Sequence, residues 1–147
     1  MKISSRLTIA IHIFACIYMF EKKHKITSDF LASSVNVNPV IIRKILLQLK
    51  ASGLIEVKRG VGGASITKPP NEITFFDVYT AVECVDDKHL FNFHNNPNQQ
   101  CPIGKNIHNA LDDKLLKVQN SLENELKKIT LLDVFSDIEY YIKIDSK

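Results

Sequence analysis

A chain of 147 residues with a net charge of +3 and 45% hydrophobic residues is one ordinary domain, or a small domain with a helical extension. Five glycines and five prolines exclude a collagen-like or low-complexity chain, and three cysteines without a CxxC exclude a disulfide framework and zinc-finger spacing. The net charge hides an asymmetry: residues 1–70 carry eleven Lys/Arg against three acids, or +8, whereas residues 71–147 carry eight Lys against thirteen acids, or −5. A basic first half joined to an acidic second half points to one part that meets a polyanion. Unpaired thiols of this kind fit a reducing cytoplasm.

Ser4 and Ser5 are good caps for a first helix over about 5–20. Its run from Leu7 to Phe20, behind Lys2 and Arg6, resembles a signal peptide. His12 interrupts that run, however, Phe14 is bulky where a small residue is expected, and no A-x-A-like site precedes Glu21-Lys22-Lys23. The run is also shorter than the roughly 20 residues that span a bilayer. The expectation is therefore a buried helix, with neither secretion nor a membrane partner. Thr27 or Ser28 caps a short second helix, about 28–34, with Phe30 and Leu31 inward. Asn38 then precedes Pro39, a residue suited to the first helical position because its missing N–H is not needed there. A third helix, about 39–51, carries Ile42, Ile45, Leu46 and Leu49 on one face and ends before Gly53.

The hydrophobic period then falls from 3.6 to 2. Leu54 to Arg59 alternates like a strand, Gly60-Val61-Gly62-Gly63 turns, and Ala64 to Thr67 returns as a second strand. Pro69-Pro70 closes this unit. Thr74 and Asp77 form a capping box for a fourth helix over about 75–84, and residues 85–100 read as a loop. Cys101-Pro102 opens a long helix. Its apolar residues Ile103, Ile107, Leu111, Leu115, Val118, Leu122, Leu126 and Ile129 step by three and four, close to a heptad seam that wants a partner helix. Thr130 and Asp133 open a last helix to about Ile142.

Helix, helix, turn, helix and hairpin is the order of a winged helix-turn-helix. The fold class is mainly α with a small β-hairpin, a winged helix-turn-helix followed by a long C-terminal dimerisation helix. Residues 1–70 form the DNA-binding domain and 71–147 a helical effector and dimerisation region. The third helix enters the major groove by its N-terminal end, presenting Asn38, Pro39, Val40, Arg43 and Lys44. Arg43 can reach a guanine edge and Lys44 a phosphate. The hairpin brings Lys58, Arg59 and Gly60, where glycine allows close backbone approach and an arginine tip suits the narrow minor groove. Ser4, Ser5 and Arg6, at a helix N-terminus, can hold a phosphate with backbone N–H groups. No Ser-His-Asp set with its supporting turns and no P-loop occurs, so the reading is not an enzyme.

Met1 to Arg6, the helix pair through Leu49 and above all the segment Gly53 to Ala64 resemble the Rrf2 family of bacterial regulators. That family includes the iron–sulfur cluster regulator, the nitric-oxide-sensitive repressor and the cysteine-metabolism repressor. The resemblance covers essentially the whole chain. It implies a homodimer, joined along the long helix through Leu111, Leu115, Val118, Leu122 and Leu126, on a palindromic double-stranded operator. It also implies a wing arginine, here Arg59, that reads the minor groove. The cluster-binding members carry three cysteines close together in the loop before the long helix. Here that stretch has only Cys101, with Cys84 before the loop and Cys16 in the first helix. A [2Fe–2S] cluster needs four ligands, mostly thiolates, so no iron–sulfur cluster, no other metal and no other cofactor is expected.

Cys101 lies where a helix N-terminus lowers a thiol pKa, which makes it the candidate redox-sensing residue of a repressor. The bland alternative is a weak, inert cap. Two other readings stay open: a winged helix used for protein contact without DNA, and a regulator that answers a small-molecule effector.

Overall fold

A computed structural model of the chain describes residues 4–58, 63–83, 90–91 and 93–147. Helix α1 (Ser5–Phe20) is the element on which the others assemble. Leu7, Ala10, Ile13, Phe14, Ala15, Cys16 and Ile17 are all buried in it. These residues lie around most of its circumference, as expected for a helix packed on several sides rather than lying on a surface. Helices α2, α4 and α6 and strand β2 all pack on it. The apolar run that resembles a signal peptide is thus the centre of the core.

Local chemistry sets the ends of the next two helices. Thr27 caps α2 (Ser28–Val35) by accepting from the Phe30 N–H at 3.1 Å. Asn36 ends it in the left-handed region at φ 62, a conformation that asparagine tolerates better than most residues. Asn38 then caps α3 (Pro39–Ala51), accepting from the Val40 N–H at 2.9 Å. The two helices meet at 113° across residues 36–38, within the range of a helix-turn-helix. Beyond α3, Gly53 at φ +78 completes a Schellman motif, with Leu54 N–H on the Leu49 carbonyl at 3.1 Å and Gly53 N–H on the Lys50 carbonyl at 3.0 Å.

The hairpin is shorter than the alternation suggests. Strand β1 (Ile55–Val57) pairs antiparallel with β2 (Ala64–Ile66), with Ile55 opposite Ile66 and Val57 opposite Ala64. Ile55 and Ala64 face the core. The Ala64 N–H also donates to the Ile26 carbonyl at 3.2 Å, which ties the wing to the α1–α2 connection.

A 3-10 turn at Pro70–Glu72, absent from the expected elements, leads to buried Ile73. The capping boxes of Thr74 and Thr130 both form, and these two residues bridge antiparallel. Helices α4 (Phe75–Val82) and α6 (Leu131–Asp145) therefore start side by side, held by Phe75 N–H to the Ile129 carbonyl at 2.8 Å and Leu131 N–H to the Ile73 carbonyl at 2.9 Å. Phe135 of α6 is buried and stacks on Tyr18 of α1, ring centres 4.5 Å apart. One core accordingly runs from the winged-helix elements into α4 and α6. Between these helices lies α5 (Pro102–Leu126), of which only Gln119 and Leu126 are buried.

Candidate nucleic-acid interface

The exposed side of α3 is built as its cap dictates. Asn38 accepts from the Val40 N–H with its side-chain oxygen and so caps the helix. Pro39 is half-buried at the first helical position, while Val40, Arg43 and Lys44 project outward and are exposed. Ile42, Ile45 and Leu49 anchor the opposite side in the core with no exposure, and Leu46 is half-buried beside them. The core face thus fixes which residues look away from the protein.

The wing contributes Lys58, which is exposed. Arg59 and Gly60 lie outside the described residues. A cleft of about 550 Å³ runs between the wing and the α1–α2 connection, lined by Lys22, Lys23, Lys25 and Lys58 with Glu21 the one acid. The run Glu21 to Lys25 follows directly on the end of α1. Its partner Lys58 is remote in sequence, and the Ala64–Ile26 bond is what brings the two together. Four lysines against one carboxylate form a positively charged concavity suited to a phosphate backbone.

The N-terminus of α1 is arranged differently from the expected phosphate site. Ser4 Oγ accepts from the Arg6 N–H at 3.2 Å, and the Ser4 hydroxyl donates to the Glu83 carboxylate. Ser5 and Arg6 are exposed. A carboxylate from the end of α4 already occupies the positive end of this helix, and a phosphate there would meet a like charge. No local pattern announces a cap bond between residues 79 positions apart.

A bend of 113° between α2 and α3, a hairpin stapled beside them and a basic outer surface define a winged helix-turn-helix with its DNA-facing side open. The sequence profile of the Rrf2 family, described as iron-dependent transcriptional regulators, matches residues 3–137. The chain belongs to the Rrf2 family. It is 43% identical over 136 residues to YwnA of Bacillus subtilis (strain 168), named an HTH-type transcriptional regulator, covering 92% of this chain and 98% of YwnA. A solved structure described as a DNA binding protein is 41% identical, with a TM-score of 0.70, covering 88% of this chain and 98% of its own. IscR of T. potens shares the fold at 20% identity and a TM-score of 0.69, over 96% of this chain and 90% of its own. As an Rrf2 member this chain is a DNA-binding transcriptional regulator.

Outside the DNA-facing side, the two described thiols of the Rrf2 chain, Cys16 and Cys101, belong to different helices. Cys16 is buried in α1, with Sγ 3.2 Å from Ser34 Oγ on α2. Ser34 also bonds Nε2 of His12 at 2.9 Å, and His12 is exposed. Cys84 lies outside the described residues. Cys101 is the N-cap residue of α5, but its side chain closes no capping bond of normal geometry. The backbone N–H groups of Gly104 and then Ile103 nevertheless face its sulfur and hold the thiol below the ordinary cysteine range. The turn is tight: Cys101 N–H donates to the Asn98 carbonyl at 3.2 Å, and a Cβ at Gly104 would collide with that carbonyl.

The expected α5 seam divides. Leu126 is buried within its own chain, which corrects its assignment to an open contact face. Leu115 lines a pocket of about 300 Å³ with Phe91, Phe93 and Leu116, and buried Gln119 accepts from the Leu90 N–H at 2.9 Å. One side of the helix thus packs on the preceding loop of the same chain. Leu111 and Leu122 are half-buried, and Val118 at 52%, Leu116 at 47% and Ile103 at 74% remain exposed.

Proposed function

We propose that the protein is a homodimeric transcriptional repressor of the cytoplasm that grips a palindromic operator with residues 1–70 and pairs through residues 71–147. The observation that carries the reading is the contrast between two open surfaces. One, formed by α3 and the lysine-lined cleft, is basic. The other, on α5, leaves Val118 and Ile103 in water. A long helix with exposed apolar residues on its outer side is suited to a partner helix, and a two-fold dimer sets two recognition helices about one DNA turn apart. Arg43 supplies base recognition, Lys44 and the cleft lysines supply phosphate contacts, and Arg59 supplies the minor-groove contact. Sedimentation equilibrium gives the test. The protein should run at twice its chain mass, and a monomer that still binds operator with full affinity would refute the reading.

Regulation is assigned to Cys101 without an iron–sulfur cluster. Cys16 of α1 is buried against Ser34 of α2, which leaves Cys84 and Cys101, too few for a four-thiolate set within one chain. A thiolate at Cys101 attacks a peroxide oxygen, the S–O bond forms as the O–O bond breaks, and hydroxide or alkoxide leaves. Peroxide should therefore release the wild-type protein from DNA but leave a Cys101→Ser variant bound. Release of both proteins alike would refute the Cys101 switch, whereas retention of both would direct the search to the Phe91–Phe93 pocket and a small-molecule effector, the second reading, which the cavity itself favours.

A further inference from the structure

The recognition helix carries an apolar line on the side facing away from the protein. Its core contacts Ile42, Ile45 and Leu49 point one way. At about 100° per residue the opposite line is Val40, Lys44, Leu47 and Ala51, all of them exposed. Leu47, at 66%, is the most exposed large hydrophobic side chain described in residues 4–83, and Val40 is 46% exposed. Arg43 and Lys50 flank the line with positive charge, and Lys44 adds a charge within it. On a helix whose fold places it against DNA, a positively flanked apolar stripe suits the floor of the major groove. There the rims are phosphates, and the one apolar group presented by any base is the 5-methyl of thymine.

Resting on the DNA-binding role, we propose that Leu47 is a specificity-determining residue that packs on a thymine 5-methyl in each operator half-site. Leucine has no donor or acceptor, so it cannot read any other base edge by hydrogen bonding. Val40 lies seven residues earlier on the same line, about 10.5 Å along the axis, or roughly three base-pair steps. The two side chains therefore address separate base pairs, with Arg43 and Lys44 between them.

The test uses duplexes that the wild-type protein enriches from a random-sequence pool. Each thymine is replaced singly by deoxyuridine, which lacks only the methyl group. At one position per half-site the wild type should lose about fourfold in affinity, the worth of one buried methyl. At that position Leu47→Ala should bind the thymine and uracil duplexes equally, while Val40→Ala should keep the fourfold difference. A scan that is flat for the wild type overturns the proposal without any variant being made. So does a Leu47→Ala protein that still distinguishes the two bases. Failure to enrich or bind any duplex would overturn the DNA-binding role itself, a different result from tight binding with a flat scan. Because Leu47 touches solvent rather than the core, the variant should melt at the wild-type temperature.

Discussion

Arg43 and Lys58 look alike in charge and exposure but sit on different parts of the DNA-facing surface, and they should fail differently. Arg43→Ala is expected to weaken operator binding by about 1–3 kcal/mol and to relax preference at one base pair. Lys58→Ala should weaken binding evenly across sequences and lower the salt dependence by about one unit of slope. Gel-shift titrations on operator and scrambled duplexes at several salt concentrations separate the two. Cys101 has a chemical signature of its own. Its thiolate is favoured by the Gly104 and Ile103 N–H groups, so its alkylation should reach half its maximal rate at a pH below that of an ordinary cysteine. The sign follows: ionisation stabilises the folded chain above the pKa of the unfolded thiol, and that gain is lost as pH falls through the lower folded value. Gly104→Ala forces the Asn98 carbonyl away, and the alkylation midpoint should then move back up.

At the level of elements, the paired capping boxes carry the clearest stability prediction. Thr130→Ala removes the acceptor for the Asp133 N–H and loosens the junction where α4 and α6 begin together. A loss of about 1 kcal/mol in urea unfolding is expected, and no change would mean that the backbone bridge alone holds the junction. These caps were legible in the sequence because each joins residues three apart. The same holds for Asn38-Pro39 and Gly53, and the bounds of α1 and α3 followed from such local signals, whereas the alternation overstated the length of the hairpin strands. Contacts between distant segments were not legible. Glu83 on Ser4, Leu90 on Gln119 and the lysines of the α1–α2 connection beside Lys58 each depend on the assembled fold. Heptad spacing on α5 likewise marked its apolar positions without showing which would be covered by the same chain. Leu115 and Leu126 turned inward, whereas Val118 did not.

For the whole molecule, association should depend on the exposed part of α5. Val118→Asp puts a charge where the proposed dimer would seat its partner helix, and light scattering should then report a chain-mass species. The single core makes a second expectation: urea should unfold the winged-helix elements together with α4 and α6 in one transition, seen alike by circular dichroism and by tyrosine fluorescence. Two separated transitions would show that residues 1–70 are held more loosely to the rest than the shared packing of α1 indicates.

The two ends of α5 are fastened very unequally. Near its C-terminus Leu126 is buried, Lys127 Nζ lies 4.6 Å from the centre of the Phe76 ring, and the Ile129 carbonyl is held by Phe75. Pro102 and Ile103 stand in solvent at the other end. A rod of 25 residues is about 37 Å long, so a tilt of about 5° at the fastened end swings the free end by roughly 3 Å. The loop before α5 therefore sits at the tip of a lever whose fulcrum rests on α4, a direct neighbour of the recognition helix. Force applied at the tip reaches that fulcrum with mechanical advantage, so a change a few atoms in size at Cys101 acts on the contact between α5 and α4.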